Sequence, residues 1–148
     1  MIKMTLSTDD IDKLFSEGTP PSEEDIEFNR NAQQDRDRIW RDIKDAGYSL
    51  NQFADECYLH HSHLYDFLNG KKQLGRDRLL IVFLNLNYDY SEICQMLRRF
   101  HQPQLYPRDK RDYLIMICIQ KHLSVDELNQ ELERNGFTTL CPEKSNKN

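Results

Sequence analysis

From Asp35 onward, apolar residues recur at helical spacing. Ile39, Trp40 and Ile43 share one face of a first segment, which Gly47 closes. Ser49 is placed to cap the next, running to about Cys57 with Leu50, Phe53, Ala54 and Cys57 inward. After a short turn, Ser62 to Asn69 repeats the pattern and Gly70 closes it. Arg76 to Asn87 is apolar on two sides, through Leu79, Leu80, Val82, Phe83, Leu84 and Leu86. Its length and flanks favour a buried helix over a strand. The pattern predicts an all-α fold.

The second half repeats itself without a gap at a spacing of 35 residues. Arg76-Asp77 returns as Arg111-Asp112, Glu92 as Glu127, Gln95 as Gln130, Leu97 as Leu132, Leu105 as Leu140 and Pro107 as Pro142. Apolar pairs fill the intervals, among them Leu80 with Ile115, Leu84 with Ile119 and Ile93 with Leu128. Each unit reads as a buried helix, a polar turn and an amphipathic helix ending in Leu-x-Pro. Two copies are too few for a solenoid, so they are expected to stack as two helical hairpins. The recurring Arg-Asp pairs read as helix-start residues that keep the two copies in register.

Charge divides the chain differently. The net charge of the 148 residues is −5. Residues 1–30 carry eight acids and three bases, which accounts for all of it, and the remainder carries 17 of each. Residues 1–34 therefore form an acidic N-terminal segment on a neutral body. Within it, Ser7 or Thr8 can cap a short helix with Ile11, Leu14 and Phe15 on its apolar face. Gly18, Pro20 and Pro21 break that helix, and Ser22 starts a second, with Glu23, Glu24 and Asp25 in its first turn. Such a segment reads as a docking peptide for a protein partner, or as an arm folded on its own body. A first helical domain occupies residues 35–87, and the two repeats occupy 76–142, sharing its core through the helix from Arg76. Residues 143–148 read as a frayed tail.

Residues 49–79 hold the most specific pattern: Ser-Leu-x-x-Phe-Ala, then Tyr58-Leu59, a polar triplet, Leu64, Phe67, Asn69-Gly70-Lys71 and Leu79. Ala54 lets a second helix cross closely, Leu59 plugs the turn, and Leu64 and Phe67 anchor that second helix. This stretch resembles the helix-turn-helix (HTH) of the XRE, or lambda-repressor-like, family, which would place the HTH domain at residues 35–87. Residues 38–142 as a whole resemble small bacterial proteins that follow such an HTH with two further helical hairpins. Gly70-Lys71-Lys72, Arg76-Asp77, Leu105-Tyr106-Pro107-Arg108 and Arg111-Asp112 carry that second likeness. The resemblance implies a lambda-repressor-like HTH core extended by two repeated hairpins, and a role as a transcriptional regulator that binds double-stranded DNA. It also implies that the second HTH helix enters a major groove. His60, His61, Ser62 and Asp66 would then face the bases, with His63 nearby, while Asn69, Lys71 and Lys72 would hold phosphates. A homodimer would double such a site. Four positions depart from the family pattern. Tyr58 replaces the turn glycine, Leu50 a phosphate-binding glutamine and Leu74 a common proline, and Asp66 puts a negative charge on the reading face.

Those departures, the neutral body and the acidic arm support another reading, a protein-interaction module on an HTH fold that has lost DNA binding. Its partner would dock through the N-terminal segment or the hairpins. A third reading has the arm shield the HTH as a phosphate mimic. Arg98, Arg99, His101, Arg108, Lys110 and Arg111, with Phe100 and Tyr106 among them, read as a solvated joint or as a second nucleic-acid contact.

Other classes are not expected. There is no glycine-rich phosphate loop, no G-x-S-x-G and no H-E-x-x-H, so neither catalysis nor a cofactor is expected. The three clustered histidines lack the companion ligands of a structural zinc site, and no metal is expected. Cys57, Cys94, Cys118 and Cys141 form no C-x-x-C pair and read as free thiols. No apolar run approaches the roughly 18 residues of a membrane span. The N-terminus lacks a secretory pattern, and a cytoplasmic protein is expected.

Overall fold

The computed structural model describes residues 6–26 and 32–140. The chain forms two compact units, dividing between Arg30 and Asn31. Eight α-helices and no strand occur among the described residues, so the fold is all-α.

In the first unit, α1 spans Thr8–Ser16. Ser7 caps it, and Asp10 completes a reciprocal capping box by accepting from the Ser7 backbone amide. None of its residues is buried, and Phe15 is 60% exposed. The second helix expected from Ser22 is a single 3-10 turn, Glu23–Asp25, capped by Ser22. Ile26 is already extended, and three consecutive acids gain little from one turn of helix dipole.

The second unit contains α2 (Ala32–Asp45), α3 (Leu50–Glu56), α4 (His61–Leu68), α5 (Arg76–Asn85), α6 (Tyr90–Arg99), α7 (Lys110–Gln120) and α8 (Val125–Arg134). α2 starts three residues ahead of the expected Asp35, and Asp35 itself is buried. The amphipathic helix of the first repeat stops at Arg99, short of Leu105, because the chain turns left-handed at His101. The corresponding Leu-x-Pro of the second repeat and the tail 143–148 lie outside the described residues, apart from Leu140.

Local chemistry explains the helix ends. Ser49, Asp89 and Ser124 each accept from the backbone amide three residues on, and Gln52, Glu92 and Glu127 return the bond. Each of the eight α-helices among the described residues closes in the same way. A residue with positive φ follows the cap, and the next N–H reaches back across the last turn, as in Tyr88 N–H to Phe83 C=O at 3.0 Å and Leu123 N–H to Cys118 C=O at 3.1 Å. Glycine fills four of these positions, but Tyr58, Asn87, His101 and His122 take the left-handed conformation at the other four. The two repeats match here, since Asn87 and His122 are 35 residues apart, as are His101 and Gly136.

One hydrophobic core runs from Ile39 to Leu140 and takes in residues of every helix from α2 to α8. Phe53, Phe67 and Phe83 are its largest buried side chains. The helix from Arg76 supplies five buried residues, Leu79 to Phe83. Around the core, α2 is tied to the first repeat by Arg38, which donates to Glu92 and lies over the Tyr88 ring at 4.9 Å. Tyr88 donates in turn to Asp42. The repeated Arg-Asp pairs exchange partners. Arg76 lies 2.7 Å from Asp112, and Arg111 lies 3.0 Å from Asp77. Each copy thus supplies one arginine and one aspartate to the other.

Candidate nucleic-acid interface

α3 and α4 pack on each other, and both pack on α2. Ala54 is fully buried where they meet, and Leu59 is buried in the turn. That turn passes through Tyr58 at φ 56°, the left-handed conformation a glycine would adopt without strain. Tyr58 is held there by its hydroxyl, which donates to Asp126 of α8 at 2.8 Å. α8 therefore fastens the α3–α4 turn, whose left-handed residue is not a glycine.

α4 buries Leu64, Phe67 and Leu68 against the body. Its other side carries Ser62, Tyr65, Asp66 and Asn69 at helical spacing. His60, Ser62, Asn69, Lys71 and Lys72 are exposed, and His61, His63 and Asp66 are half-buried. The eight residues named from the sequence thus lie at the N-cap of α4 (His60), on α4 and in the loop that follows it. Tyr65, 41% exposed in the middle of that stripe, was missed. Its spacing of three from Ser62 was the available signal.

Several of these side chains have partners within the chain. His60 caps α4, its Nδ1 accepting from the Ser62 amide at 3.4 Å and lying 2.9 Å from Ser62 Oγ. His61 Nε2 is 2.9 Å from Asp55 Oδ1, a contact between side chains 44% and 73% exposed. Such an open pair contributes little stability. Lys72 Nζ stands 3.9 Å from Asp66 Oδ2. Two acids therefore offset part of the positive charge of this surface. Among the described residues, no three histidine, cysteine or acidic side chains stand together as a metal site. Cys57, Cys94 and Cys118 are thiols outside any disulfide, Cys57 Sγ accepts from Asn85 Nδ2 at 3.3 Å, and Cys141 lies outside the described residues.

The loop after α4 is fixed from α2. Gln33 Nε2 donates to Leu68 C=O at 3.1 Å, and its Oε1 accepts from Arg36 Nε and Nη2. Gly70, at φ 80°, lies under the Arg36 guanidinium, where an added Cβ would stand 2.9 Å from Nη2. The Asn69-Gly70 ending thus provides both a left-handed turn and room for a cation from another helix. Of the basic group at the repeat joint, Arg99 faces Asp35 at 3.6 Å and Arg111 is engaged with Asp77. Arg98, His101, Arg108 and Lys110 are exposed. No helix among the described residues is long and apolar enough to cross a membrane. The chain matches no protein-family model, no curated protein and no solved structure.

Proposed function

We propose that this protein is a sequence-specific double-stranded DNA-binding regulator of transcription, with α4 as the helix that enters the major groove. One observation carries the reading. α4 is anchored by Leu64 and Phe67 so that Ser62, Tyr65, Asp66 and Asn69 face outward, with Lys71 and Lys72 at its end. An α-helix with its side chains is about 10–12 Å across, which suits a groove about 12 Å wide. His61 and Ser62 then read base edges, and Asn69, Lys71 and Lys72 take backbone phosphates.

The test is selection of genomic DNA fragments by the purified full-length protein, followed by the salt dependence of any enriched site. A single motif whose log–log salt slope reports several phosphate contacts supports the regulator. His61→Ala and Lys71→Glu should each abolish specific binding while the fold persists. Unchanged affinity in both variants removes α4 as the docking face.

The pairing of Asp66 with Lys72 and of Asp55 with His61 favours a second reading, a protein-interaction module that retains the HTH fold without DNA affinity. Failure of both the full chain and a chain lacking residues 1–30 to enrich any fragment would select it. A partner lost on changing His63 and Asp66 would then locate the surface.

A further inference from the structure

We propose that the cleft bounded by α2, the α4–α5 loop and the C-terminal end of α6 is a seat for a phosphate-class oxyanion. Arg36, Lys72, Arg99 and His101 line it, over a floor that includes Phe67 and Phe100. These residues are distant in sequence, and the contact between the Phe67 and Phe100 rings, 5.5 Å between centroids, brings their segments together.

The cleft has a volume of about 50 Å³. That is room for roughly three or four water-sized groups, which suits the oxygens of one phosphate and is too small for a nucleobase.

The charges around it favour an anion. The Arg36 guanidinium is held by a neutral amide oxygen, Gln33 Oε1, at 3.0 and 3.1 Å, so that bond orients it without offsetting its charge. Gly70 keeps the space it occupies. Arg99 is steadied by the buried carboxylate of Asp35 at 3.6 Å, and the Lys72 side chain, 65% exposed, is 3.9 Å from Asp66. Asp37 holds the far end of the Gln33 amide at 2.9 Å. None of these three aspartates lines the cleft, whereas all four basic residues do. An oxyanion placed there meets fixed guanidinium donors and a mobile ammonium, a combination suited to phosphate.

The seat does not depend on the DNA-binding reading; only the source of the phosphate does, a nucleic-acid backbone or a small phosphorylated ligand. The first experiment titrates the full chain with inorganic phosphate at constant ionic strength, with chloride as control, following backbone amide resonances. Saturable shifts at Gln73, Phe100 and His101 are expected with phosphate and not with chloride. Lys72→Gln and His101→Asn, the latter chosen because asparagine tolerates the left-handed turn, should each weaken binding roughly three- to tenfold. Arg36→Gln should weaken it more. Should Arg36→Gln fail to fold, the two surface variants still decide the matter. Shifts that stay linear in phosphate, or that are the same in Lys72→Gln and His101→Asn as in the parent, overturn the proposal.

The second arm distinguishes the sources. Displacement of phosphate by an enriched DNA duplex, with a salt slope about one unit shallower in Lys72→Gln, assigns the seat to the nucleic-acid backbone. Saturable phosphate binding by a chain that enriches no DNA refutes the regulator reading, keeps the seat and assigns it to a small phosphorylated ligand.

Discussion

Replacing Asp112 with asparagine removes a charge and almost no volume, so it isolates the electrostatics of the exchanged Arg-Asp pairs. The Asp112 side chain is 10% exposed, and its partner Arg76 is 18% exposed. One carboxylate oxygen also accepts from the Tyr106 amide at 3.0 Å. Asp112→Asn leaves the Arg76 guanidinium largely shielded from water without its counter-charge. Breaking one side of a fully buried pair costs about 3–5 kcal/mol, and the partial exposure here brings the expectation to about 2–4 kcal/mol. Asp77 is the symmetry-related residue, but its side chain is 39% exposed. Its partner Arg111 also donates to the Thr138 and Thr139 carbonyls at 3.0 and 3.3 Å. Asp77→Asn therefore leaves Arg111 with two carbonyl acceptors and removes a carboxylate that water already reaches, so it should cost under about 1 kcal/mol. Urea unfolding followed by helical circular dichroism measures both, with an unchanged slope required for the comparison. In thermal terms the expected losses are roughly 10 °C or more for Asp112→Asn and a few degrees for Asp77→Asn. Arg76→Met combined with Asp112→Leu should recover most of the first loss, since an apolar pair has no desolvation penalty. If the two asparagine variants fall within about 0.5 kcal/mol of each other, or Asp77→Asn is the costlier, burial does not govern these pairs and the reasoning fails.

Three further outcomes are expected. His122 is exposed at φ 57°, so His122→Gly should raise the urea midpoint, by about 0.5–1 kcal/mol in stability, whereas Tyr58→Gly also loses the bond to Asp126 and should gain nothing; a lower midpoint for His122→Gly contradicts this. Leu64 is fully buried beneath the outward stripe of α4, so Leu64→Ala should cost about 2.5–5 kcal/mol in the same assay, and a loss below about 1 kcal/mol would mean that α4 is not anchored there. Burial, then the hydrogen bond to Asp42, pushes the Tyr88 phenol well above its ordinary 10.0. A raised pKa favours the neutral phenol in the folded state. Its stabilisation is therefore complete below about pH 10 and is lost as pH rises through the folded-state value. Alkaline titration followed by tyrosinate absorbance should show one late phenol that Tyr88→Phe removes, and an unchanged titration in that variant would refute the assignment.

Much of the architecture was legible along the chain because its causes are local. Apolar spacing, together with Ser49 and the glycines at 47 and 70, marked α2 to α4, and the 35-residue repeat marked the two hairpins α5–α6 and α7–α8. Capping boxes and turn glycines act within four residues, so they can be read from neighbours alone. The helix expected after Ser22 shrank to one turn because a cap without a following apolar face has nothing to bury. The left-handed ends at Tyr58, His101 and His122 carried no such mark, since none of the three is glycine, and only the bond from Tyr58 to Asp126 of α8 shows what holds the first.

The eight candidate residues at the N-cap of α4, on α4 and in its loop followed from helical spacing and resemblance, but their pairing did not. Asp66 beside Lys72 and Asp55 beside His61 depend on side-chain placement across turns. Arg36 over Gly70, Tyr58 on Asp126 and the exchanged arginines at 76 and 111 join positions 34 to 68 residues apart. By itself, the sequence determined which segments are helical and which faces are apolar, because both depend on neighbours a turn away. Only the tertiary structure decided which charges are buried, which are offset and which converge on one cleft, because electrostatic energy depends on distance and water exclusion rather than on order along the chain.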